Sequence, residues 1–190
     1  MLISFTDKGL YCEKGNFYID PWKPVETAVI THAHSDHARS GHQKYLCHTQ
    51  SKSLLRSRLG ENDYQSVGWN EPVTRNGVRV SLHPAGHIIG SAQVRVEYKG
   101  EVWVISGDYK TVDDGLSGVF EPVRCNTFIT ESTFGLPVYQ WKSQEMIYDE
   151  MRDWVIRNQA EGYSSVFQAY SLGKAQRIIQ ALRNFEGKIF

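Results

Sequence analysis

The stretch VITHAHSDHARSGH, residues 29–42, packs four histidines and an aspartate into fourteen positions of a chain that has only seven histidines. It follows Thr27 and Ala28, so that TAVITH reads as a buried strand delivering His32 to a loop. The loop then presents His34, Asp36 and His37 in the pattern HxHxDH. Imidazole nitrogen and carboxylate oxygen are ligands suited to zinc, and also to manganese or iron. His32 and His34 can turn to one side while Asp36 and His37 turn to the other, so one loop can serve two ions. Further ligands must come from elsewhere. His87 in HPAGHIIGSA and Asp108 in VISGDY each end an expected strand beside glycines that let the backbone turn sharply. Asp108 is the carboxylate expected to bridge both ions, and Asp20, ending FYID, is expected to orient a ligand histidine. His42, His48 and His83 read as ordinary hydrogen-bonded or surface histidines.

The rest of the chain sets the frame for this loop. Its 190 residues suffice for one well-cored domain and part of a second. Lys plus Arg equals Asp plus Glu at 21 each, so contact with nucleic acid requires a local basic patch. Cys12, Cys47 and Cys125 form no CxxC pair, which argues against a disulfide framework and a thiolate zinc knuckle. No apolar run approaches a membrane span, and the first residues lack the features of a secretory signal, so a cytoplasmic location without membrane contact is expected.

Short antiparallel strands joined by tight turns fit residues 1–20, with turns at Asp7-Lys8-Gly9 and Glu13-Lys14-Gly15. TQSKSLLRSRLG predicts a helix capped by Thr49 or Ser51 and stopped by Gly60. Period-two alternation over residues 71–108, with turns at Asn76-Gly77 and Lys99-Gly100, predicts further strands, and TFITES adds another. Beyond residue 141 the pattern changes. Met146, Ile147, Met151, Trp154 and Val155 recur at helical spacing, SSVFQAYS reads as a buried strand, LGKAQRIIQALRNF as a second helix, and GKIF as the start of a strand.

Asp20, the HxHxDH loop, His87 and Asp108 together resemble the metallo-β-lactamase superfamily. The resemblance implies an α/β (α+β) fold, an αββα sandwich with the metals at one edge. TESTFG at residues 130–135 and SLGKAQ at 171–176 are similar to segments of β-CASP nucleases, and GDYK with TESTFGLPVYQW comes closest to the bacterial ligase-associated DNA exonucleases. This implies residues 1–137 as the N-terminal portion of a metallo-β-lactamase-like domain and 138–190 as the start of an incomplete β-CASP-like domain. It also implies Glu131 as a catalytic acid at the domain junction. In the family, histidines of the distal half complete the second metal site, and none follows here.

The expected chemistry is phosphodiester hydrolysis assisted by two divalent ions, zinc foremost and manganese as the alternative. Asp36 and Asp108 would hold the ions and orient water, supported by Glu131 and Asp20. Ser171, Gly173 and Lys174 lead into a helix whose free amides could seat a phosphate, and Lys110 is a further candidate. Trp22, Tyr139 and Trp141 could stack bases. A DNA exonuclease in repair, functionally associated with a DNA ligase, is the leading expectation. An RNA-processing nuclease, a small-molecule metallo-hydrolase and a non-catalytic nucleic-acid-binding fragment are the alternatives.

Overall fold

The computed structural model describes residues 1–190, which divide into two compact units, Met1–Ser132 and Thr133–Phe190. The first unit contains two sheets. β1 (Ser4–Thr6), β2 (Gly9–Cys12), β3 (Phe17–Ile19), β4 (Thr27–Val29), β5 (Lys44–His48) and β6 (Asp63–Val67) lie side by side in chain order. The first three pair antiparallel through the expected glycine turns, whereas β3 to β6 run parallel. Helix α1 (Thr49–Leu59) makes the crossover from β5 to β6 and buries Leu55. Parallel strands need such a crossover and are covered on both faces, which is why all three residues of β4 are buried.

The second sheet has the order β11-β10-β9-β8-β7, formed by β7 (Val73–Arg75), β8 (Val78–Pro84), β9 (Ala92–Tyr98), β10 (Glu101–Ile105) and β11 (Thr127–Ile129). Alternation along β8 sends Val78, Val80 and Leu82 to one face. There they meet Val94, Val96 and Ile105 of the same sheet, and Phe17, Ile19, Val29 and Leu46 of the first, in one continuous core. Face-to-face packing of the two sheets follows from these apolar faces, each fully buried Val, Leu or Ile contributing about 1.5–3 kcal/mol.

Several local expectations need correction. α1 is capped by His48, whose side chain accepts from Gln50 N, while Thr49 Oγ1 reaches Val67 O at 2.9 Å and Ser51 Oγ reaches Gly90 O at 2.7 Å. β5 and β6 add two strands beyond those expected.

The second unit holds α2 (Gln144–Ala160), capped by Ser143, and α3 (Lys174–Ala181), which pack together. Of the expected apolar stripe on α2 only Val155 is buried, and Met146 stands exposed. SSVFQAYS and GKIF form no strand, and Val166 is 84% exposed. Their alternating side chains suit a ladder, but neither segment pairs with another strand here. The start of α3 also differs: Gly173, at φ +84°, is the N-cap and provides no side-chain bond.

Candidate metal centre

The histidine loop leaves the end of β4 at the edge of the sandwich. Ile30 N still bonds Leu46 O, Thr31 O accepts from Ala92 N of the other sheet, and the chain then turns, with Ala38 N bonding His34 O. The β8–β9 connection carries His87, whose N–H donates to Ser91 Oγ at 3.0 Å. Gly107, at φ +53°, turns β10 into the loop bearing Asp108, and a Cβ there would lie 2.7 Å from Thr31 Cβ. β11 brings Glu131, its N–H held by Ser106 Oγ at 3.1 Å. Four separate segments therefore converge on one edge.

Two groups of ligand-type atoms result. His32 Nε2 lies 3.0 Å from His34 Nδ1, which lies 3.2 Å from His87 Nε2. Asp108 Oδ2 completes the set at 3.3 Å from His87 Nε2 and 3.8 Å from His32 Nε2. Four atoms around a tetrahedral ion with bonds near 2 Å stand about 3.3 Å apart, so these spacings fit one divalent cation. The second group is His37, Asp108 and Glu131, with His37 Nε2 at 3.3 Å from Asp108 Oδ1 and 3.8 Å from Glu131 Oε2. Asp108 Oδ1 is enclosed and accepts no hydrogen bond despite that approach, a further sign that the donor set suits a cation.

Asp36 does not join either group. Its side chain is 71% exposed, and Oδ2 lies 3.9 Å from His37 Nε2. Glu131, expected as a catalytic acid, instead falls among the candidate ligands.

Asp20 lies behind the centre. At φ +43°, a conformation that Asp tolerates better than most residues, it accepts from Thr31 N at 2.8 Å, Thr31 Oγ1 at 2.6 Å and His37 Nδ1 at 2.8 Å. Thr31 Oγ1 also lies 3.1 Å from His32 Nδ1. Thr31, Ser91 and Ser106 escaped sequence reasoning, because hydroxyl residues beside a ligand carry no pattern of their own.

The electrostatics are those of tightly packed imidazoles and carboxylates. Burial and the neighbouring His37 and His87 push His32 well below the ordinary histidine range, against the pull of Asp108. Burial opposes charge on His37, yet Asp108 and Asp20 outweigh it and push that imidazole up to about 11. Asp108 is held well below the usual carboxylate range by His37, against burial and with help from His32 and His87. Glu131 is raised, by burial first and the Asp108 charge second.

The substrate-contact candidates are more dispersed. Lys110 Nζ pairs with buried Asp114 at 3.3 Å. Ser171 O accepts from Gln176 Nε2, and Lys174 Nζ lies 5.4 Å from the centre of the Tyr170 ring. Trp22 donates to Asp7 O and packs on Phe5, while Tyr139 and Trp141 present nearly parallel exposed rings with centroids 6.3 Å apart. The other histidines are structural: His42 accepts from Val25 N, His48 caps α1 and stacks on Trp69, and His83 bridges Ser81 and Glu121.

No protein-family model matches the chain. Over 179 residues, 92% of its length, it is 31% identical to a probable DNA ligase of Opitutus terrae, of which it covers 17%. It is 23% identical to an RNase J-like protein of Methanocaldococcus jannaschii over 86% of its own length and 44% of that protein's. With endoribonuclease YSH1 of Saccharomyces cerevisiae it shares 28% identity over 64% of its length and 16% of that protein's. The chain thus spans less than half the length of each of these relatives. A crystal structure of a protein of unknown function from Enterococcus faecalis matches 83% of the chain and 44% of its own, with a TM-score of 0.60 at 12% identity, a likeness of fold. No helix is long and apolar enough to cross a membrane.

Proposed function

Since the chain belongs to the metallo-β-lactamase/β-CASP nuclease superfamily, we propose that it carries the metal centre of a nuclease that hydrolyses phosphodiester bonds in DNA. The observation that carries this reading is the convergence of three imidazole nitrogens and one carboxylate oxygen, from three separate segments, within 4.8 Å of one another. His32, His34, His87 and Asp108 would hold one divalent ion, and His37, Asp108 and Glu131 a second. Bound there, divalent ions supply Lewis acidity toward a phosphoryl oxygen and acidify nearby water.

The chain's own groups do the rest. Asp20 holds His37 by its Nδ1–H and so turns Nε2 inward. Hydrolysis joins a water oxygen to phosphorus, breaks the bond from phosphorus to the sugar oxygen, and returns a proton to that oxygen. That proton is one the attacking water releases, so the step balances without Glu131, whose Oε2 belongs to the second ligand group. Lys110, two residues beyond Asp108, is the proposed phosphate contact, while at the start of α3 Lys174 N and Ala175 N already bond Leu172 O and Tyr170 O. Exonucleolytic action in repair, beside a ligase, is the finer reading, supported by the likeness to the probable DNA ligase.

A second reading, cleavage of RNA, is favoured by the RNase J-like and endoribonuclease relatives. End-labelled DNA and RNA strands of matched sequence, incubated with the protein and manganese or zinc, separate the two. DNA shortened by the wild type and untouched by His34→Ala is the expected outcome. Cleavage of RNA alone would favour the second reading, and equal cleavage by both proteins would refute the site.

A further inference from the structure

The hydroxyl of Thr31 stands between two polar atoms and has one proton to give. Asp20 Oδ2, at 2.6 Å, can only accept, so the Thr31 O–H donates to it. The Thr31 oxygen is then left to accept, and the neighbour 3.1 Å away, His32 Nδ1, must carry the proton that it accepts. That choice leaves His32 Nε2, which faces His34 Nδ1 and Asp108 Oδ2, with its lone pair directed into the ligand cluster. The same Asp20 Oδ2 receives His37 Nδ1–H at 2.8 Å. His37 Nε2 is thereby turned toward Asp108 Oδ1 and Glu131 Oε2. One carboxylate oxygen thus sets the direction of an imidazole in each ligand group, reaching His37 directly and His32 through a hydroxyl.

We propose that Thr31 is a positioning residue, which selects the Nδ1–H tautomer of His32 and ties the aim of His32 and His37 to the single carboxylate of Asp20. This rests on the metal-centre reading above. The role belongs to the hydroxyl and can be separated from that of the methyl, which fills space against Gly107, where an added Cβ would lie 3.0 Å from Thr31 Cγ2. The bond from Thr31 N to Asp20 Oδ1, at 2.8 Å, is donated by the main chain, so neither Thr31→Val nor Thr31→Ser removes its donor.

Thr31→Val keeps the shape and removes the hydroxyl, whereas Thr31→Ser keeps the hydroxyl and removes the methyl. Zinc affinity is measured by chelator competition, and the His32 tautomer by ring nitrogen shifts in the ion-free full chain. Loss of an outer hydrogen-bond partner typically weakens metal binding by about 10–100-fold. Thr31→Val is expected to fall in that range and to lose the single His32 tautomer, while Thr31→Ser stays close to the wild type in both. Wild-type behaviour of Thr31→Val with loss in Thr31→Ser overturns the proposal in favour of methyl packing. If the wild type binds no zinc, the metal-centre reading falls. The ring nitrogen shifts of the ion-free protein still decide the role of Thr31, an unchanged His32 tautomer in Thr31→Val overturning it.

Discussion

Replacing Gly86 by alanine tests how the loop bearing Asp108 is seated beside His87. Gly86 adopts φ +74°, and a Cβ added there would lie 2.4 Å from Lys110 O, 3.2 Å from Phe120 N and 3.3 Å from Gly118 O. All three are backbone atoms of the loop that follows β10, so no flexible side chain can swing aside. The left-handed conformation costs alanine about 1–2 kcal/mol. Forcing an extra carbon into a closed contact costs about 1–3 kcal/mol more. A total loss of about 2–5 kcal/mol is therefore expected, together with displacement of Lys110 and, two residues earlier, Asp108. Gly118 supplies the control, since it has φ +85° in the same loop but nothing within 4 Å of an added Cβ. Gly118→Ala is expected to lose only the backbone part, about 1–2 kcal/mol, and to bind zinc like the wild type. Urea denaturation gives both stabilities and chelator competition the zinc affinities. Equal losses in the two variants, or wild-type zinc binding by Gly86→Ala, would refute the reasoning from close approach.

Burial pushes His48 down to about 4, against about 6.5 in an unfolded chain, so protonation favours the unfolded state. Stability is therefore undiminished by this group above pH 6.5 and falls as pH drops through 6.5 toward 4. His48→Asn keeps a capping oxygen and removes the titration, and urea denaturation between pH 7 and pH 4 should show a correspondingly shallower acid loss than in the wild type. Trp141, 69% exposed and nearly parallel to Tyr139, is expected to stack a base. Trp141→Ala should weaken binding of a labelled single-stranded oligonucleotide by about 1–3 kcal/mol in fluorescence anisotropy, and unchanged affinity would remove it from the substrate path.

How much of this was legible in the sequence depended on how local each signal is. His32, His34 and His37 fall within six residues, and ligand chemistry is written in residue identity, so the centre could be read before any coordinates. His87 and Asp108 were marked by glycines at strand ends. Asp36 shares the motif, yet the turn that brings His34 and His37 inward leaves its carboxylate largely exposed. Glu131 enters the ligand group because β11 pairs with β10 in parallel and Ser106 fixes its amide, a relation between segments 25 residues apart. The apolar alternation of SSVFQAYS is strand-like, but a strand exists only where another strand accepts its hydrogen bonds. KYLCH lacks a clean alternation, and it becomes a strand because β4 and β6 flank it.

The metal-centre proposal stands or falls on whether His32, His34, His87 and Asp108 hold a divalent cation. Anomalous diffraction from a crystal of the chain soaked in zinc, recorded on both sides of the zinc edge, tests it most directly. The expected result is a peak equidistant from His32 Nε2, His34 Nδ1, His87 Nε2 and Asp108 Oδ2. An empty map at that point, with zinc bound elsewhere on the molecule, would contradict it.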